Sequence, residues 1–253
     1  MSDEQETFLS HLVELRDRLL RCVIAIGLVF LCLMPWSADV YDFLAAPMMR
    51  TLPEGTRMIA TGVVTPFFVP IKVTLLVAFL ISLPFVLYQI WAFVAPGLYA
   101  HEKRFALPLV VGSSLLFLAG MAFCYFLVFN TVFKFIATVA PKSITPAPDI
   151  EQYLAFVMTM FLAFGVTFEV PIVVLVLVKV GLVSVAKLRE VRSYVIVAAF
   201  VIAAVVTPPD VTSQIMLAVP MCVLYEIGLL LARLVEKAAP PEDAPEVGEG
   251  GSK

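Results

Sequence analysis

Long apolar runs separated by short polar breaks dominate this chain. A helix needs about 20 mostly apolar residues to cross roughly 30 Å of hydrocarbon, and several of the runs meet that requirement. The chain opens on a different rhythm. Phe8, Leu12, Leu15 and Leu19 recur at three- and four-residue spacing, which predicts an amphipathic helix over about residues 8–21. Its charged side offers Glu14 to Arg18 and Asp17 to Arg21, each pair four apart with the acid first, the better helical orientation. Taken alone, the stretch reads as a helix lying on a membrane surface. The sharper reading gives Glu14 a partner from outside the chain.

The runs that follow predict six spans. The first covers about 22–36 and ends at Pro35-Trp36, where an aromatic anchors at an interface. Residues 37–64 carry Asp39, Asp42, Pro47, Arg50, Pro53, Glu54, Gly55 and Arg57 and are expected to form an external loop. Thr65-Pro66 has the cap-then-proline order of a helix start, and the second span runs over about 67–94, bent but not ended by Pro70 and Pro84. Lys72 near its outer end is expected to snorkel to the interface. A polar stretch, Phe93-Val-Ala-Pro-Gly-Leu-Tyr-Ala-His-Glu-Lys-Arg104, then interrupts the pattern, broken at Pro96-Gly97.

The third span covers about 105–136, with Gly112, Ser113, Ser114 and Gly120 as small surfaces for close helix packing. After the break at 141–148, Asp149 and Gln152 form a cap-like start for the fourth span, which reaches about Lys179. A short basic loop with Lys187, Arg189 and Arg192 leads to a fifth span of only about 193–206. Thr207-Pro-Pro-Asp210 then starts a sixth, also modest, ending near Leu231. The expected architecture is all-α, a single six-helix transmembrane domain over 1–235 with shorter fifth and sixth spans. Residues 236–253, rich in Pro, Gly and acids, read as a disordered tail.

Composition agrees with the pattern. Hydrophobic residues make up 61% and charged residues 15%, far from the soluble average of roughly half and a quarter. Orientation follows from the bases. Of the 17 Lys and Arg, twelve fall on one side of the predicted spans and five (Arg50, Arg57, Lys72, Lys134, Lys142) on the other, which places both termini in the cytoplasm. Cys22, Cys32, Cys124 and Cys222 show no paired spacing and read as small buried side chains. His11 and His101 stand apart from any cluster of ligand residues, which argues against a metal or haem site. No nucleophile elbow, HExxH, GxGxxG or phosphate-loop sequence appears, so an enzyme is a poor fit.

What remains are carboxylates in informative places. Glu169, within Phe168-Glu-Val-Pro171, lies ten residues before Lys179, and at ~1.5 Å per residue that puts it roughly 15 Å below the cytoplasmic end. An unpaired carboxylate at that depth costs at least ~2.5 kcal/mol on insertion scales, so Glu169 must face protein or water. Glu14 and Glu102 sit among bases at the cytoplasmic face, where such acids are ordinarily solvated or locally paired. Two acids on one surface can instead each accept a guanidinium, whose planar fork matches a carboxylate. Phe93 and Leu98 would then give apolar contact beside an arginine pair. A proton-coupled small-molecule transporter in which Glu169 titrates is the alternative, although no convincing internal repeat supports it.

The start His11-Leu-Val-Glu-Leu-Arg-Asp-Arg-Leu19, the loop 93–104, the run Phe168-Glu-Val-Pro171 and Thr207-Pro-Pro-Asp210 together resemble the TatC family, the polytopic subunit of the twin-arginine protein translocase. The likeness covers about residues 8–233. It implies a receptor in the bacterial inner membrane that captures signal peptides with paired arginines. With small single-span TatA/TatB-like subunits, and self-associated in the bilayer, such a receptor exports folded cargo on the proton-motive force, with no cofactor and no nucleic acid. By motif, Glu14 and Glu102 would bind the arginines and Phe93 and Leu98 would border that site. Glu169 would meet a polar group on a partner's helix, and Pro47 and Asp210 would belong to the external rim.

Overall fold

The computed structural model describes residues 2–50, 57–94, 103–139, 147–207 and 211–238, with side chains described except at 2–10, 103–106 and 235–238. Ten α-helices are seen among these residues. They are α1 (Ser2–Leu33), α2 (Ser37–Met49), α3 (Thr65–Val94), α4 (Lys103–Phe123), α5 (Phe129–Val139), α6 (Ile150–Phe168), α7 (Val170–Lys179), α8 (Val185–Glu190), α9 (Arg192–Val206) and α10 (Val211–Ala238). A 3-10 turn joins α1 to α2 and a π-turn joins α4 to α5, so these pairs form continuous rods. The result is an all-helical membrane protein with five long apolar helical segments and one shorter one, Arg192–Val206.

Two expectations are corrected. Residues 37–49 are not loop: the first rod continues from His11 to Met49. Asp39 and Asp42 read as loop markers, yet both point outward while Leu44, Ala45 and Pro47 are buried, so α2 is amphipathic and packs on α3. Pro47 lies inside this helix. A proline has no N–H to give to the carbonyl four residues back, here that of Phe43. The Tyr125 hydroxyl donates to that oxygen at 3.0 Å, its ring stacked on Phe43, and the Tyr153 hydroxyl donates to the next carbonyl, Leu44, at 2.8 Å. Two tyrosines from neighbouring helices therefore satisfy the backbone that Pro47 disturbs.

The second correction concerns length. Of the two spans expected to be short, only the fifth is: α9, at 15 residues, extends roughly 22 Å. The last helix has 28 residues and continues to Ala238, past Glu236 where the tail is expected to begin; the remaining tail residues lie outside the described ones. An apolar pattern judged to end near Leu231 misses this, because Arg233 and Lys237 are compatible with the last turns of a helix.

Helices α3, α4, α5 and α6 enclose the main core, built on Val73, Phe129, Phe164, Met160 and Leu83, with Leu217 of α10 reaching it. A smaller core of Val174, Val185, Leu188, Tyr225 and Leu229 ties α7 and α8 to α10. Close approach is enforced by glycine. A β-carbon on Gly120 would stand 2.5 Å from the Phe164 carbonyl oxygen, and one on Gly228 would stand 2.9 Å from Pro171 Cα. Ser113 and Ser114 of α4 are also buried. By contrast, Leu19, Val23, Ile24, Leu28 and Leu31 of α1 face outward, the exposure expected of a helix set in lipid. The four cysteines are free; Cys124 is buried, but Cys32 faces outward, so burial does not describe them all.

Candidate functional site

At one end of the bundle α1 lies against the last turns of α3. The spacing of Glu14 and Arg18 puts them one turn apart, and Arg18 donates from Nε (3.0 Å) and Nη2 (2.6 Å) to the same oxygen, Glu14 Oε1. Its remaining Nη1 donates at 3.2 Å to Oε1 of Gln89, a buried amide on α3. The Glu14 Oε2 atom lies 3.8 Å from His11 Nδ1. The His11 ring in turn stacks on Phe93 with centroids 4.3 Å apart and planes 17° from parallel. Glu14 and Phe93, named separately from sequence, are thus brought to one place by His11. Leu98 and Glu102 lie outside the described residues. The other expected pair does not form: Asp17 takes Arg16 at 2.8 Å instead of Arg21.

Sequence reasoning passed over Gln89, His11 and the bridging role of Arg18. Gln89 did leave a signal, since with Lys72 it is one of two long polar side chains in the 30 residues of α3.

The second acid is held differently. Pro171 withdraws an N–H from the helix two residues after Glu169, and the ladder slips there: Glu169 N donates to Val166 O at 3.1 Å, a three-residue step. Glu169 is the joint between α6 and α7. It is 8% exposed; neither carboxylate oxygen has a well-formed hydrogen bond among the described residues, and the buried Ser113 hydroxyl of α4 is the polar group beside it. It lines an apolar cavity of about 410 Å³ with Leu83, Leu87 and Trp91 of α3, Phe117 of α4 and Val173 of α7. Trp91 spends its indole N–H on Ser113, at 2.9 Å.

The opposite end is a polar latch. Asp149 caps α6 as its position predicts, Oδ1 accepting from Glu151 N (2.9 Å) and Gln152 N (3.1 Å). Its other oxygen accepts from Thr61 N (3.0 Å) and Thr61 Oγ1 (2.8 Å), pinning the segment before α3. These bonds, led by the Thr61 hydroxyl, hold the Asp149 carboxyl below the usual carboxylate range. Lys72, expected to snorkel, is exposed and meets Glu151 at 2.7 Å. Asp210 lies outside the described residues, and the Thr207 hydroxyl donates back to Ala203 O at 2.8 Å.

An exposed acid paired with an arginine that bridges two helices, and a buried acid at a helix joint, are arranged here on a recognisable scaffold. A family model described as "Sec-independent protein translocase protein (TatC)" matches residues 10–220. The chain belongs to the TatC family. Among TatC relatives, the chain is 54% identical over 234 residues to the Sec-independent protein translocase protein TatC of Haemophilus influenzae, covering 92% of this chain and 91% of that one. To the TatC of Escherichia coli K12 it is 50% identical over 231 residues, 91% and 90% of the two chains. The structure is similar to a solved one titled "Crystal Structure of Twin Arginine Translocase Receptor- TatC", with a TM-score of 0.77 and 40% identity, covering 89% of this chain and 99% of that chain. TatC proteins are translocase components, not enzymes, and this one is a multi-pass protein of the bacterial inner membrane. Membership of the TatC family replaces the small-molecule transporter reading.

Proposed function

We propose that this chain is the signal-peptide receptor of a twin-arginine translocase, crossing the membrane six times with both termini in the cytoplasm. Glu14 and Glu102 accept the paired arginines, Phe93 and Leu98 border them, and Glu169 meets a polar group on the helix of a small single-span TatA/TatB-like subunit. Pro47 and Asp210 belong to the outer rim, and the assembled receptor contains further copies of itself. One observation carries this reading: the Glu14 carboxylate already binds a guanidinium, that of Arg18, at 2.6 Å. Glu14 remains 44% exposed, so a second guanidinium can reach it.

The test is binding of a twin-arginine signal peptide to the purified receptor complex. The expected result is weaker binding on Glu102→Ala, and weaker binding of the paired-lysine peptide to the intact protein, since an ammonium lacks the guanidinium fork. Equal affinity for the arginine and lysine peptides would reject the site.

A further inference from the structure

We infer that Arg18 is a resident occupant of the arginine receptor, and that Gln89 is the receptor's second acceptor and a determinant of its preference for arginine. This rests on the reading of Glu14 as a signal-peptide contact. The Arg18 guanidinium bridges two helices, with two of its nitrogens on Glu14 Oε1 of α1 and the third on Gln89 Oε1 of α3. It therefore traces what the two acceptors take together: a planar cation long enough to touch a carboxylate and an amide oxygen at once. A compact ammonium presents no such fork. Gln89 is 5% exposed in a largely apolar helix, so its oxygen is costly to leave unpaired.

The occupant is also built to leave. The Arg18 side chain is 21% exposed and the Glu14 side chain 44%, so the pair is open to water and weakly held. Glu14 Oε2 has only His11 Nδ1, at 3.8 Å, near it among the described residues, which leaves an oxygen where an incoming guanidinium first docks. As that cation takes Oε1 and Gln89 in turn, Arg18 swings out to solvent. While Arg18 stays in place, the apparent affinity for a signal peptide is reduced by the fraction of receptors it fills.

The experiment measures binding of synthetic paired-arginine and paired-lysine signal peptides to membrane vesicles carrying the full chain with its partner subunits. Arg18→Gln and the charge-preserving Arg18→Lys should each tighten paired-arginine binding about two- to fivefold, the range expected for releasing a partly exposed ion pair. Neither should do so when combined with Glu14→Gln. Adding Gln89→Leu to Arg18→Lys should weaken the arginine peptide severalfold and leave the lysine peptide unchanged, shrinking the preference. If Glu14→Gln weakens binding but both Arg18 variants leave it unchanged or weaken it, Arg18 is not a competitor and the inference is overturned. Should Gln89→Leu weaken both peptides equally, Gln89 does not select arginine. If Glu14→Gln alone has no effect, the receptor reading fails first and takes this inference with it.

Discussion

Two carboxylates in this molecule have opposite surroundings. Glu14 stands at the edge of the bundle, half open to solvent, with an arginine of its own chain on one oxygen. Glu169 stands inside it, at a proline-induced joint facing an apolar cavity, with neither oxygen in a well-formed hydrogen bond. The first is an acid whose ligand is exchangeable, because a solvent-exposed ion pair contributes little to the fold. The second is a buried acid with only the Ser113 hydroxyl beside it, and a buried polar group left poorly satisfied destabilises the chain that carries it. Under the proposed function the contrast separates two kinds of recognition: an arginine docking at Glu14, and a polar group of another helix meeting Glu169.

The largest effect should come from removing the buried acid. Glu169→Leu is expected to stabilise the isolated chain in detergent by about 1–3 kcal/mol, since the desolvation penalty of a poorly paired group disappears. Export in cells and crosslinking to the partner helix should both be lost. A thermal unfolding scan and an export assay on the same variant check this, and a destabilised variant would mean that Glu169 has a partner within the chain. The equivalent change at the rim, Glu14→Gln, should leave stability within roughly half a kcal/mol.

An effect of similar size on stability, without the loss of export, concerns the close packing of α4 on α6. Gly120→Leu would force a side chain against the Phe164 carbonyl and the Phe168 ring, 2.5 and 2.9 Å from the new β-carbon. Overpacking of this kind costs about 1–3 kcal/mol. It should lower thermal stability and also disturb Glu169, which follows Phe168, while peptide binding at Glu14 persists.

The smallest expected effect lies at the latch. The folded state holds the Asp149 carboxyl below its unfolded value, so its contribution is present above the ordinary carboxylate range, near pH 4, and is lost only as pH falls through the lowered folded value. The protection of the Thr61 amide relative to its intrinsic exchange rate should therefore hold steady from about pH 5 to 8, a window above the Asp pKa on both sides of folding. Asp149→Asn should make that exchange faster throughout. Unchanged protection in Asp149→Asn would remove Asp149 from the latch.

Much of this was legible in residue order. Length and apolarity gave the long helices, and Asp149 announced the start of α6. The helical run through Ser37–Met49 was not legible, because Asp39, Asp42 and Pro47 are loop-like locally and become helical only when Leu44 and Ala45 bury and Tyr125 and Tyr153 satisfy the freed carbonyls. The pairing of Asp17 was misjudged for a related reason: adjacent Arg16 competes with Arg21 for the same carboxylate, and spacing alone does not rank them. Gln89 reached Arg18 across 71 positions, a tertiary contact that no local pattern encodes.

The division of labour between the two acids is tested most directly by measuring peptide binding and partner-helix crosslinking side by side in vesicles carrying Glu14→Gln or Glu169→Gln. A crossed pattern is predicted: Glu14→Gln weakens the twin-arginine peptide about tenfold, in keeping with the loss of a charge-assisted hydrogen bond, and spares the crosslink, while Glu169→Gln does the reverse. Parallel losses in both variants would contradict it.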